Sequence, residues 1–145
     1  HEIEIGKGSK IADGSDVAFV TYGAIGQYVY EARARLAGHG ISAAHYDLRF
    51  CKPLDDDLLT EVFSTFDKVI TVEDGVIVGG AGTAVVEWAM ENDFHGTKVV
   101  RLGMPDRFIE HGTQRELHDE VGIGPDGLVD AAASLVDAGL QAEAA

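Results

Sequence analysis

The sequence predicts an α/β fold in which a mostly parallel sheet lies between two layers of helices. Strand-like and helix-like segments alternate four times along the 145 residues, and the segments between strands are too long for hairpins. Strands joined in this way run parallel through right-handed crossovers, which place helices on both faces of the sheet. The chain shows no internal repeat and no Pro- or Ser-rich linker. We therefore expect one domain over residues 1–145.

The first half of the chain supplies two strands and a candidate edge strand. Ile3–Ile5 alternates apolar and polar residues and is predicted as an antiparallel edge strand. Val17–Thr21 is apolar and β-rich, as expected for a strand covered on both faces. Residues 25–36 place apolar side chains at helical spacing, and two glycines follow. Ile41–Leu48 is predicted as the next strand.

The second half alternates in the same way. Its predicted elements are a helix capped by Asp55, a strand over Lys68–Val72, a helix after Gly79-Gly80-Ala81-Gly82, a strand over Lys98–Leu102, a short helix after Thr113 and a last helix from Pro125. Asp is a favoured N-cap, and Thr113 with Glu116 matches a capping box.

Composition excludes several classes of function. The formal net charge of -14 argues against nucleic acid and anionic membranes as partners, since both need a basic footprint. No apolar run reaches the roughly 18 residues of a membrane helix, and no signal segment opens the chain. The single cysteine, Cys51, fits a reducing compartment, so we expect a cytoplasmic protein. Because position 1 is His1 instead of Met, we expect a fragment of a longer product.

Suggestive residues gather beyond the carboxyl ends of the predicted strands, where open α/β sheets bind ligands. The loops there are Tyr22–Gly26, Arg49–Leu54, Glu73–Gly82 and Gly103–Gly112. The glycines at 79–82 precede a helix whose N-terminus could hold phosphate. However, the dinucleotide pattern G-x-G-x-x-G requires glycine where Val85 stands, and the Walker pattern is absent. We interpret these glycines as tight turns.

Metal binding and acid–base catalysis are the other chemical alternatives. Glu73, Asp74, Asp106, Glu110 and His111 could converge, but no H-x-x-x-H or C-x-x-C spacing supports a metal site. His111 beside Glu110 could titrate near neutrality, yet the sequence indicates no nucleophile.

The remaining histidines, His39, His45, His95 and His118, are predicted to be surface or turn residues. The sequence therefore assigns no catalytic, cofactor-binding or metal-binding residue to this chain.

Five motifs in order resemble the C-terminal domain of the 1-deoxy-D-xylulose-5-phosphate synthase family, which belongs to the transketolase superfamily. They are Ile5-Gly-Lys-Gly8, Thr21-Tyr-Gly23, Asp47–Asp55, Thr71–Gly75 with Gly79–Gly82, and Leu102-Gly-Met-Pro-Asp-Arg-Phe-Ile-Glu-His-Gly112. The chain departs from the common pattern at Glu73-Asp74-Gly75, where many members have Glu-Glu-Asn, and at Met104, which is often leucine.

The resemblance implies a three-layer sandwich with one antiparallel edge strand, and a place in a homodimeric transferase that depends on thiamine diphosphate and Mg²⁺. Such an enzyme condenses pyruvate with glyceraldehyde 3-phosphate for isoprenoid and thiamine biosynthesis. Its cofactor motif, Gly-Asp-Gly, is absent here, so we expect no cofactor in this fragment and no activity from it alone. The partners implied are the N-terminal and central domains and a second subunit.

The resemblance also implies that the loops serve domain packing and dimer assembly, through charge-assisted bonds and apolar contacts. The candidate interface residues are Arg49, Phe50, Glu73, Asp74, Ile77, Gly79, Gly80, Asp106, Arg107, Phe108 and His111, with Val78 and Ile109 as further apolar candidates. Two alternatives stay open. One is the C-terminal domain of a pyruvate-dehydrogenase-type β subunit, and the other is a stand-alone flavodoxin-like ligand-binding module.

Overall fold

A computed structural model describes residues 3–144, without the side chains of residues 138 and 140–144. The strands are β1 (Ser9–Ala12), β2 (Val17–Tyr22), β3 (Ala43–Asp47), β4 (Lys68–Val76) and β5 (Lys98–Met104). The helices are α1 (Gln27–Gly38), α2 (Asp56–Thr65), α3 (Ala81–Glu91), α4 (Gln114–Glu120) and α5 (Pro125–Ala144), with a 3₁₀ turn at Ala24–Gly26 before α1.

The strands form one sheet in the order β1-β3-β2-β4-β5. β3, β2, β4 and β5 run parallel, and β1 pairs antiparallel with β3. The predicted mostly parallel sheet with one antiparallel edge strand is confirmed. The position of that edge strand was wrong, because Ile3–Ile5 precedes β1 as an exposed segment and Ser9–Ala12 makes the pairing.

Alternate strand residues point to two separate cores, one on each face. Phe19 and Ile70 belong to the core under α1 and α5. Ala18 and Val69 belong to the core under α2 and α3. This three-layer arrangement explains why the central strands are apolar throughout, since each face of the sheet is covered by helices.

The predicted helix starts at Asp55 and Thr113 are confirmed. The Asp55 side chain accepts hydrogen bonds from the backbone N–H groups of Asp57 and Leu58, at 3.1 and 3.2 Å. Thr113 and Glu116 form the full capping box of α4. Both caps satisfy N–H groups that a helix leaves without partners in its first turn.

β4 and β5 continue past the ends of their neighbours. β2 ends at Tyr22, which pairs with Glu73, whereas β4 runs to Val76, which pairs with Met104. The register of the β4–β5 ladder shifts between Val72 and Val76. We call residues 74–78 and 103–108 the β4–β5 extension. β4 and β5 are therefore longer than the predicted strands, which ended at Val72 and Leu102. No helix among the described residues is long and apolar enough to cross a membrane.

Candidate functional site

Glu73 lies at the carboxyl end of β4, and its side chain is used inside the fold. Only 4% of the residue is exposed. Its Oε1 accepts the Ala81 N–H at 2.9 Å, and its Oε2 accepts the Gly82 N–H at 2.7 Å. A carboxylate at the first turn of α3 satisfies two backbone donors and also meets the positive end of the helix dipole.

Gly80 makes room for that carboxylate, and Gly82 makes room for the Thr71 hydroxyl. A Cβ on Gly80 would lie 2.0 Å from Glu73 Oε1, and one on Gly82 would lie 2.5 Å from Thr71 Oγ1. Gly79 has a different role, because its φ of +71° is a left-handed conformation with open space around it. The helix N-terminus that could have held a phosphate is thus taken by the chain's own anion.

Asp74 forms a chain of hydrogen bonds with α4 and α1. His118 Nε2 lies 3.0 Å from Asp74 Oδ1, and His118 Nδ1 lies 3.2 Å from the Tyr28 hydroxyl. Because a carboxylate only accepts, the tautomer with its proton on Nε2 donates to Asp74 and accepts from Tyr28. Gln114 donates to the second Asp74 oxygen at 3.2 Å. These bonds fix α4 against the end of the sheet.

A second buried histidine, His45, lies on β3. Its Nε2 is 2.9 Å from Thr21 Oγ1, and that hydroxyl donates to the Tyr46 carbonyl at 3.3 Å. His45 Nδ1 is buried and has no hydrogen-bond partner among the described residues. Burial lowers the pKa of His45 to about 4, so the ring is neutral at physiological pH.

The prediction that His45 and His118 are surface or turn residues was wrong, since each is only 3% exposed. A signal existed for His45. It stands in the middle of a predicted strand, and a strand covered on both faces buries every position. His118 carried no comparable signal, because its partners lie 44 and 90 residues away in the sequence.

The candidate acid–base and metal residues of the last loop do not converge with the rest. Asp106, Glu110 and His111 are exposed, while Glu73 is buried at the α3 cap. Among residues 3–144, no group of three or more His, Cys, Asp or Glu side chains is arranged to hold a metal ion.

The β4–β5 extension is held by polar contacts and exposes apolar side chains. Arg101 Nη1 donates to the Ile77 carbonyl at 3.0 Å, and the Ile77 N–H donates to the Met104 carbonyl at 2.9 Å. Outward from this frame, Val76 is 50%, Val78 69% and Phe108 103% exposed. The backbone of the extension is therefore held by hydrogen bonds at Ile77, while its apolar side chains are exposed to solvent.

The remaining interface candidates also lie at this end of the sheet. Arg107 is exposed and lies 3.8 Å from Glu120. Arg49 is exposed with a left-handed φ of 56°, and its N–H donates to Asp47 Oδ1 at 3.0 Å. Phe50, next to it, is half-buried. Taken together, the buried polar groups at this end are hydrogen bonded within the fold, and the exposed groups form part of its surface.

Residues 6–128 match the family described as "Transketolase, C-terminal domain". The chain is 51% identical over 127 residues to the 1-deoxy-D-xylulose-5-phosphate synthase of Cytophaga hutchinsonii, covering 88% of this chain and 20% of that protein. It is 46% identical to the synthase of Bacteroides fragilis, over 88% and 20% of the two chains. The synthase of Halothermothrix orenii is 43% identical, over 93% and 21%.

A solved structure titled "Split gene transketolase, inactive beta4 tetramer" matches the fold with a TM-score of 0.85 and 31% identity. The match covers 94% of this chain and 44% of that one. The predicted resemblance is confirmed by these similarities. The chain spans about a fifth of the length of the curated relatives named above.

Proposed function

Since the chain belongs to the transketolase C-terminal domain family, we propose that it is the third domain of a 1-deoxy-D-xylulose-5-phosphate synthase. The whole enzyme would join pyruvate to glyceraldehyde 3-phosphate, with release of carbon dioxide. In it, this domain would pack on the preceding domains and support a homodimer in the cytoplasm.

The observation that carries the proposal is the 51% identity to a named synthase over 88% of this chain. The geometry supports a structural role for this domain, without catalytic residues of its own. Glu73 caps α3, and Asp74 and His118 bind each other, so the polar groups most suited to catalysis are engaged in the fold. The exposed residues at the same end of the sheet suit contact with another protein surface.

The residues of this chain do not fit the cofactors of such an enzyme. Thiamine diphosphate is held through Mg²⁺ by a Gly-Asp-Gly motif in this family, and this sequence contains none. A diphosphate would also meet Glu73 at the glycine-led start of α3, where like charges repel. We therefore place thiamine diphosphate and Mg²⁺ in the preceding part of the enzyme and assign no chemical step to this domain.

The full-length enzyme and the isolated 145-residue chain together test this assignment. We expect the full-length protein to form 1-deoxy-D-xylulose 5-phosphate and carbon dioxide from pyruvate and glyceraldehyde 3-phosphate, and to bind thiamine diphosphate in titration calorimetry with Mg²⁺. The isolated chain should give no activity and no binding heat, with circular dichroism as the control for folding. Binding of thiamine diphosphate by the isolated chain would contradict the assignment, as would full-length protein without synthase activity.

A further inference from the structure

An open cavity of about 220 Å³ lies at the start of α1, over the carboxyl ends of β2 and β3. Its walls combine the 3₁₀ turn before α1 with the side chains of Thr21, Tyr30, His45 and Asp47. Open α/β sheets bind their ligands beyond this edge of the strands. The cavity is small for a ligand site, which limits its occupant to a small molecule.

In the wall of this cavity, His45 has a nitrogen that the fold leaves without a partner. The Thr21 hydroxyl donates to the Tyr46 carbonyl at 3.3 Å, so it accepts from His45 Nε2, which lies 2.9 Å away. The neutral ring then has its proton on Nε2, and Nδ1 is an acceptor. No donor among the described residues bonds to Nδ1, although His45 is only 3% exposed. Because buried polar groups are nearly always hydrogen bonded, this nitrogen indicates a donor that the domain itself does not supply.

The start of α1 presents the complementary groups. Gly23 and Gly26, which precede the 3₁₀ turn and α1, provide no side-chain cap, and neither first turn holds an acidic residue. The first N–H groups of a helix have no partner within it, so that of Ala24, which lines the cavity, is available as a donor. An occupant of the cavity therefore donates to a nitrogen and accepts from an N–H group, and a hydroxyl does both.

The charges around the cavity favour a neutral occupant over an ion. Burial lowers the pKa of His45 to about 4, so the ring is uncharged at neutral pH. The carboxylate of Asp47 raises that pKa and the guanidinium of Arg33 lowers it, so two opposite charges act on the same ring. Asp47 also lines the cavity, where its carboxylate repels an anion that the helix start would attract.

Tyr30 gives the cavity an apolar wall that can move. Its ring stands edge-on to the His45 ring, with the ring centroids 6.0 Å apart, and the residue is 61% exposed. Exposed side chains change rotamer within nanoseconds. Tyr30 can therefore move away from the histidine and pack against the carbon skeleton of a bound molecule, next to Ile11 of β1.

We propose that this cavity binds a small neutral polyhydroxy compound of about the size of a monosaccharide. One of its hydroxyl groups donates to His45 Nδ1 and accepts from the Ala24 N–H, and Tyr30 covers its apolar face. The site goes beyond the function proposed above and does not depend on the reaction of the whole enzyme.

Saturation-transfer NMR on the full-length enzyme tests the proposal, with methyl α-D-glucopyranoside as the neutral probe and glucuronate as an anionic one. We expect saturable binding of the neutral probe at millimolar concentration, because a small ligand makes few contacts. Tyr30→Ala and His45→Leu should each weaken this binding at least about fivefold, since each removes one contact. The matched control is His39→Leu, at an exposed position at the end of α1, which should leave the binding unchanged.

Three outcomes would overturn the proposal. Without saturable binding to the wild type, the partner of His45 Nδ1 is an ordered water molecule only. Binding that a folded cavity variant leaves intact would place the probe elsewhere on the enzyme. Glucuronate should bind at least about fivefold more weakly than the neutral probe, and equal or tighter binding would contradict a neutral ligand. Circular dichroism checks the folding of His45→Leu, and the exposed Tyr30→Ala keeps the test decisive if that variant unfolds.

Discussion

Two groups of polar residues have opposite relations to this fold. The first group is Glu73, His45 and His118, which are at most 4% exposed and hydrogen bonded to the backbone or to other side chains. The second group is the run from Asp106 to His111, whose charged residues are exposed. The exposed group is concentrated in one short run of the sequence. The buried group is scattered along the sequence, but it makes the more extensive hydrogen bonds within the domain.

The difference shows that a concentration of polar residues does not by itself indicate a catalytic site. Most buried polar groups are stabilised by partners within the chain, so the fold restricts which polar residues it can bury. Exposed polar groups have no such requirement. A conspicuous exposed motif therefore agrees with the contact outside the domain that we propose.

The largest expected effect comes from removing the α3 cap. Glu73→Ala leaves the Ala81 and Gly82 N–H groups without their acceptor, and we expect the free energy of unfolding to fall by about 4 kcal/mol, from two charge-assisted bonds. Urea unfolding measures the loss. Glu110→Ala, at an exposed position, is the control and should stay within about 0.5 kcal/mol of the wild type. Equal losses of unfolding free energy in Glu73→Ala and Glu110→Ala would show that the buried and the exposed polar residues do not differ in their contribution to stability.

Neighbouring glycines test whether the loop is shaped around Glu73. An added Cβ in Gly80→Ala would lie 2.0 Å from Glu73 Oε1 and 2.6 Å from the Val76 carbonyl, so we expect a loss of about 3 kcal/mol from overpacking and a displaced cap. The Cβ added in Gly79→Ala would have no neighbouring atom within 4 Å. The left-handed backbone conformation is unfavourable for alanine, so we expect a loss of about 1 kcal/mol in the free energy of unfolding. Thermal unfolding of both variants gives the comparison. A Gly79→Ala loss as large as that of Gly80→Ala would attribute the effect to the backbone conformation instead.

A pH titration tests the effect of burial on His45. Burial lowers its pKa from 6.5 to about 4 in the folded state, so between these values the unfolded chain binds a proton that the folded chain excludes. The free energy of unfolding should therefore fall as the pH falls below 6.5, by roughly 2 kcal/mol by pH 5, at about 1.4 kcal/mol per pH unit. Above pH 6.5 both states are neutral at this residue, and the contribution is constant.

His45→Gln should remove most of this slope in urea unfolding between pH 5 and 7.5, because its side chain does not titrate. His111→Gln changes an exposed ring and serves as the control that keeps the slope. The same pH dependence in the wild type and His45→Gln would show that another group is responsible.

The smallest effect on the isolated domain is expected at the exposed motif itself. Arg107 lies 3.8 Å from Glu120 at the surface, and such a pair contributes under about 1 kcal/mol. Arg107→Ala should therefore leave the stability of the isolated chain nearly unchanged. In the full-length enzyme, sedimentation and titration calorimetry should show weaker domain docking or dimer assembly with little change in thiamine diphosphate affinity. Unchanged assembly with lost cofactor binding would refute this.

Local patterns were sufficient for much of the fold. The apolar run at Val17–Thr21 and the cap residues Asp55 and Thr113 act through neighbours in the sequence, so the elements they define could be predicted. The edge strand could not be placed in the same way. Ser9–Ala12 has no strong alternation, and it becomes a strand because β3 offers an open edge to pair with.

The fold class, the main order of strands and helices, and the family could be predicted, because they depend on periodicity and on motifs along the chain. The roles of the polar residues became apparent only in the packed fold. Glu73 meets α3 across 8 residues, and His118 meets Asp74 and Tyr28 across 44 and 90 residues. Contacts over such separations exist only after the layers have packed. The sequence therefore identified the Leu102–Gly112 motif, and the packing showed that its charged residues lie outside the buried polar network.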